Sequence, residues 1–307
     1  MRSRSMRLAA LVTAAVLGGP LVPGAAGALP RGPSLPGVPA PPTAAPTETS
    51  VRLASFNVLG SSHTRGADGF ASGRQRMRQA VKLLRKHDVA VVGFQELQAD
   101  QLRTFRNATD GRFAVYPGLA GERRLDSENS LAWQKSRWTA VRKRTFTIPY
   151  FGGRKRAMPL VQLRNRATGT TAWFANVHNP ASNAARGSND HWRRQALLKE
   201  ARLAKRLHHD SGLPVFLTGD MNEREQAFCP LTGRAPLRAA RGGSHRDGRC
   251  RADNPRYVDW IFASLAVRFT GYVEDRGRLD RRTSDHPVVV STAHVDPRDF
   301  QGHAVIG

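Results

Sequence analysis

Residues 215–225, VFLTGDMNERE, run from four apolar or neutral positions straight into Gly219, Asp220 and Asn222. A turn accounts for such a transition, because glycine, aspartate and asparagine all favour tight backbone geometry after a strand. A reactive site is the sharper reading. Residues two apart project to the same side of an extended chain, so Asp220 and Asn222 would address one point if the backbone stays extended.

Other apolar runs end in the same way. VRLASFNVL (51–59) carries Asn57 at the end of an expected strand, and DVAVVGFQELQ (88–98) carries Glu96 after a β-branched run. TAWFANVHNP (171–180) brings Asn176, His178 and Asn179, YVDWIFAS (257–264) brings Asp259, and TSDHPVVV (283–290) sets Asp285 and His286 before another strand. Between them lie RQRMRQAVKLLRK (74–86) and HWRRQALLKEARLAKRL (191–207), with apolar residues at the three- and four-residue spacing of helices. Strands alternating with helices predict an α/β architecture with polar residues gathered along one rim. Trp133, Trp138, Trp173, Trp192 and Trp260 read as packing residues, and the histidines other than His178 and His286, His63 among them, receive no role.

Composition narrows the setting. The chain has 307 residues. Residues 1–28 read as a secretory signal peptide, with Arg2, Arg4 and Arg7 before an apolar stretch from Leu8 to Leu17 and a small-residue cleavage site at 26–28. The arginines are not adjacent, which does not support a twin-arginine signal, and no cysteine near the cleavage site would take a lipid. Nothing later is long and apolar enough to span a bilayer. Residues 29–49, rich in proline and alanine, read as a flexible leader, and 50–296 as one domain followed by a tail at 297–307. The expected product is a secreted monomer.

Losing the three arginines of the leader from the formal charge of +24 leaves +21. That implies a polyanionic partner: nucleic acid, an anionic membrane or a cell-wall polymer. Base composition of the genome accounts equally for any one arginine cluster. Residues 142–156, RKRTFTIPYFGGRKR, combine six basic residues with Phe146, Tyr150 and Phe151, and the Gly152–Gly153 pair predicts a hairpin tip. Arg154, Lys155 and Arg156 are candidates for substrate contact there, since cations meet phosphates and aromatic faces stack on bases. A strand with solvated basic flanks explains the same stretch. Cys229 and Cys250, an even pair in an exported chain, read as one disulfide closing a Gly- and Arg-rich loop.

The segments SFNVL, GFQEL, NVHN, GDMN, YVDWIFAS and SDHPVV, in this order between about Val51 and Val290, resemble the endonuclease/exonuclease/phosphatase superfamily, whose fold is that of deoxyribonuclease I. The resemblance implies a four-layer α/β/β/α sandwich of two mixed sheets with the active site at one rim. It implies a divalent cation, Mg²⁺ with Mn²⁺ or Ca²⁺ as alternatives, held by Glu96 with Asn57 beside it and Asp285 as a further ligand. It also implies that Asp220 orients or deprotonates the attacking water, that Asn222 positions the phosphate or nucleophile, and that Asp259 holds His286. His178 would donate to a non-bridging phosphate oxygen. The reaction so implied is in-line attack of water on a phosphodiester, with the metal stabilising developing charge. An exported nuclease is the leading expectation. A sphingomyelinase-like phospholipid or phosphate-ester hydrolase, and a non-catalytic polyanion-binding module, are the alternatives.

Overall fold

The strand ending at Asp220 lies deep in the molecule, and what flanks it explains its unbroken apolar character. The computed structural model describes residues 47–64, 69–120, 128–246, 249–253 and 256–300. The expected signal peptide, all but the end of the leader, and residues 301–307 of the tail lie outside the described residues. The rest belongs to one unit beginning at Ala45.

Two six-stranded mixed sheets carry the fold. The first contains β1 (Thr49–Asn57), β2 (Val91–Gln95), β3 (Phe113–Tyr116) and β4 (Ser130–Gln134), and late in the chain β13 (Arg268–Asp275) and β14 (Val288–Val295). Its order is β13-β14-β1-β2-β4-β3. The second contains β5 (Trp138–Pro149), β6 (Lys155–Asn165), β7 (Thr171–His178), β8 (Val215–Asp220), β9 (Leu237–Ala239) and β12 (Asp259–Ser264), in the order β5-β6-β7-β8-β12-β9. A small ribbon pairs β10 (Ser244–Arg246) with β11 (Arg249–Arg251).

Helices cover the outer face of each sheet. On the first lie α2 (Gly73–Lys86) and α3 (Ala99–Ala108), reached after a single turn, α1 (Ser61–Thr64). Ser72 caps α2 by accepting from the Gln75 N–H, and the helix buries Met77, Ala80, Val81, Leu83 and Leu84. Those side chains meet Phe56, Val92, Phe94 and Val290 of the sheet. On the second lie α4 (Asp190–Ser211) and α5 (Glu225–Arg234). α4 runs beyond the span its periodicity predicted, to a left-handed cap at Gly212, and packs Ala196, Leu197, Ala201 and Ala204 against Trp173, Leu217 and Met221. A third apolar layer, with Leu53, Val91, Phe174, Phe216, Ile261 and Val289, lies between the sheets. The expected α/β/β/α sandwich is therefore present, and strands covered on both faces read as continuous apolar runs. A short helix, α6 (Arg278–Thr283), leads into β14, and no described helix is long and apolar enough to cross a membrane.

The topology decides where the polar residues go. Each sheet contains one parallel pair: β1 with β2, where Asn57 faces Gln95, and β7 with β8, where His178 faces Asp220. Parallel neighbours end at the same edge, so each pair delivers two strand ends to the rim. β12 enters that rim antiparallel, its first residue Asp259 opposite Asp220.

The sheets approach closely beneath the rim through Gly93. A Cβ there would stand 2.1 Å from Thr218 Oγ1 and 2.3 Å from Asn176 Oδ1. Asn176 Oδ1 accepts from Gln95 Nε2 at 2.6 Å and from Thr218 Oγ1 at 3.1 Å, and its amide donates to the Phe94 carbonyl at 2.8 Å. This buried polar cluster pins one sheet to the other.

The expected hairpin at 142–156 is formed by β5 and β6, paired to Pro149 and Lys155. Gly152 and Gly153 take φ of 61° and 79° at its tip, which rests on Trp192 of α4. Cys229 of α5 and Cys250 of β11 form the expected disulfide.

Candidate active site

Asp220, 2 % exposed in its side chain, is the centre of the rim. Its Oδ2 accepts from Asn57 Nδ2 at 3.1 Å and lies 3.5 Å from His178 Nε2 and 3.7 Å from His286 Nε2. Its Oδ1 accepts the backbone N–H of Asn222 at 2.9 Å. The chain does not remain extended here, contrary to the simplest reading of the spacing. Asn222 has φ 49°, so the backbone folds over Asp220 while the Asn222 side chain donates to the Asn179 carbonyl at 2.8 Å. Burial raises the Asp220 carboxyl above the ordinary carboxylate range, outweighing the opposite pull of His286 and His178.

His286 is held from the other side. Its Nδ1 lies 2.9 Å from Asp259 Oδ2 and 3.2 Å from Oδ1. Burial works against a charge on this ring, yet Asp259 and Asp220 outweigh it and hold the imidazolium well above the ordinary range. His178 is the opposite case. Burial lowers it, against the pull of Asp220 and Glu96, and its Nδ1 makes no hydrogen bond. The rim thus biases its two imidazoles in opposite directions, His286 toward the protonated form and His178 away from it.

Glu96 follows β2 with φ 58°, and Leu59 follows β1 with φ 50°. Side chains rarely adopt this left-handed region, and with Asn222 it marks three strand ends bent out of regular pairing around the site. Glu96 Oε1 accepts from Asn57 Nδ2 at 3.1 Å, while Oε2 accepts from Gly60 N–H at 2.9 Å and lies 2.6 Å from His63 Nδ1. Burial would raise this carboxyl, but the hydrogen bond from His63, the field of His178 and the Gly60 N–H hold it well below the usual carboxylate range. Asn57 therefore clamps carboxylates from both sheets. Its oxygen meanwhile accepts from Leu59 N–H at 3.0 Å, which leaves that oxygen a second lone pair.

The expected set thus divides. Asn57, Glu96, His178, Asp220, Asp259 and His286 are joined by contacts within one rim, and Asn222 closes over Asp220. Asp285 is exposed, its carboxylate accepting from Ser284 Oγ at 3.2 Å.

Ordinary pattern reading passes over two contributors. One is His63, an isolated histidine in a polar stretch. The other is Arg76, fully buried on the apolar side of α2, whose guanidinium donates to the carbonyls of Val58, Leu59 and Thr283 at 2.8, 2.6 and 3.3 Å. Only its position on the apolar face of a helix distinguishes it in sequence.

Beside Glu96 and His178 opens a cavity of about 720 Å³. Tyr150 and Phe151 line it with the expected Arg154, Lys155 and Arg156. Arg156 lies 4.4 Å from the Tyr150 ring centre and pairs with Glu128 at 2.8 Å, so it shapes the wall, whereas Arg154 and Lys155 face solvent. Arg186, from the segment after His178, stands over Phe151 at 5.0 Å.

The donors present suit a divalent cation. Asp220, Asp259 and His286 each bring one ligand atom within 4.8 Å of the others. Their hydrogen bonds, however, tie His286 Nδ1 to Asp259, which is how an imidazole is held for proton work. Glu96, kept ionised at the cavity wall, is the better anchor for a cation that prefers oxygen ligands.

No curated protein matches the chain by sequence. Among solved structures it is similar to an endonuclease/exonuclease/phosphatase family protein from Bacteroides thetaiotaomicron, with a TM-score of 0.67 and 18% identity over 84% of this chain and 99% of that one. It is also similar to a mannosyl-6-phosphatase from the same species, at 0.62 and 18% over 80% and 99%. The human Nocturnin catalytic domain with bound sulfate gives 0.62 and 14% over 80% and 95%. These likenesses concern the fold. A family model matches residues 54–286, from β1 to the imidazole of the rim, and by that match the chain belongs to the Endonuclease/Exonuclease/phosphatase family, whose members hydrolyse phosphoesters.

Proposed function

We propose that the protein is an exported, metal-dependent phosphodiesterase that cleaves nucleic acid. The observation that carries the reading is the cavity beside Glu96 and His178, lined by Tyr150 and Phe151 together with Arg154, Lys155 and Arg186, the last standing over the Phe151 ring. Cations neutralise phosphates flanking the scissile one, and aromatic faces accept a base, so the wall suits a nucleotide chain better than a bare phosphate. The formal charge of +24, or +21 without the three leader arginines, supports the same partner.

Each residue then has a task. Asp220 accepts the proton of the attacking water as oxygen bonds to phosphorus, and Asn222 fixes the loop that covers this carboxylate. His178 donates from Nε2 to a non-bridging oxygen. His286, charged and held by Asp259, opposes the negative charge that grows as the bond to the leaving oxygen breaks. A divalent cation anchored by Glu96, with Asp285 and Asn57 as the other proposed ligands, supplies Lewis acidity to the phosphate when bound.

Nicking of supercoiled plasmid by the purified protein, with divalent metal and with EDTA, tests this reading at several salt concentrations. The expected result is metal-dependent nicking that falls steeply with salt. Absence of nicking by folded protein, with hydrolysis of a small phosphate ester or a lipid headgroup, would replace nucleic acid as the substrate.

A further inference from the structure

Three donors surround the Glu96 carboxylate: Asn57 Nδ2, the Gly60 N–H and the His63 ring. The first two belong to buried or backbone positions. His63 differs, being 43 % exposed in its side chain and lining the cavity. A cation that binds Glu96 Oε2 from the cavity therefore sits beside this ring.

The ring is held in place. His63 N–H donates to the Gly60 carbonyl at 3.0 Å. The single turn that carries it is fastened to α3 by Ser61 Oγ on Asp100 at 2.8 and 2.9 Å, and by Ser62 N–H on Gln98 Oε1 at 2.9 Å. Glycine at 60 gives the ring its room, since a Cβ there would stand 3.0 Å from His63 Nδ1 and 2.9 Å from Gln98 Nε2.

We propose that His63 is a ligand of the cation bound at Glu96, and that this nitrogen gives the site a preference for Mn²⁺ over Mg²⁺. On binding, any proton on Nδ1 passes to solvent and the freed lone pair joins Glu96 Oε2 on the cation. An imidazole beside a carboxylate favours first-row transition ions, whereas Mg²⁺ prefers oxygen and water. The proposal rests on the metal-dependent reading above, and its test needs no substrate.

Mn²⁺ is titrated into the whole protein and the free ion followed by electron paramagnetic resonance, with Mg²⁺ as competitor. The expected result is binding that is lost in Glu96→Gln and at least about tenfold weaker in His63→Ala, in line with the loss of one ligand. His63→Asp should bind Mg²⁺ at least as well as the parent while its preference for Mn²⁺ falls, and circular dichroism shows whether each variant is folded. Equal or tighter Mn²⁺ binding by His63→Ala would make the ring a plug and overturn the proposal alone. No Mn²⁺ binding by the parent protein would overturn it together with the metal-dependent reading.

Discussion

His286 and Asp259 form their 2.9 Å pair across the two sheets: the histidine precedes β14 of the first, and the aspartate opens β12 of the second. Asn57 makes the same crossing to Asp220 at 3.1 Å. The charge on the imidazole, and with it the proposed stabilisation of the transition state, depends on both sheets being in register at one rim.

Replacing His286 with alanine should lower kcat by roughly 10²–10³, the usual loss for a group aimed at developing charge. The substitution also leaves the fully buried Asp259 carboxylate without its partner, so the melting temperature should fall as well, and rates are compared well below it. Initial rates and a thermal scan on the same preparation check this, and near-normal turnover would remove His286 from its role.

Asp259→Asn should move the alkaline limb of the kcat profile to lower pH. Asp259 and Asp220 raise the His286 pKa, so activity that needs the imidazolium is lost as pH rises through that raised value, and removing one carboxylate lowers it. The stability contributed by the pair is complete below the ordinary imidazole pKa and fades as pH rises through the raised one. The variant should therefore lose most stability relative to the parent in mild acid and least in alkali, a trend urea midpoints across pH would reveal.

Gly93→Ala places a methyl group against Thr218 and Asn176, at separations no Cβ tolerates. Overpacking of this kind costs about 1–3 kcal/mol. Because the contact sets the distance between the sheets beneath the rim, turnover should fall along with the melting temperature. A stable, fully active variant would show that the rim does not depend on this approach.

Glu200, buried on α4 with neither carboxylate oxygen in a regular hydrogen bond, has a pKa pushed up to about 8 by burial, partly offset by Asn179. Its folded-state value exceeds the unfolded one, so this carboxyl lowers stability as pH rises between ordinary carboxylate values and about 8. Glu200→Gln should melt higher than the parent near pH 9 and converge with it near pH 4, as scanning calorimetry would record.

The sandwich was legible because its strands are buried on both faces and its principal helices are amphipathic, so 74–86 could be read almost to the residue. The rim was legible where a chemically capable side chain closes an apolar run, as at Asn57, Glu96, His178 and Asp220. What escaped was backbone geometry and the partners that geometry recruits. The left-handed turn at Asn222 replaces the extended chain that an i, i+2 spacing suggests, and no local pattern announces it. His63 meets Glu96 where the chain leaves β1 and β2 through left-handed residues, Leu59 and Glu96, and Arg76 looks like an interrupted helix face until three carbonyls are seen around it.

The crossing made by Asn57 also bears on when the chain becomes an enzyme. Neither half of the sandwich contains the complete set of rim residues, so the proposed reaction centre exists only once the two sheets have docked. Catalysis is a readout of docking.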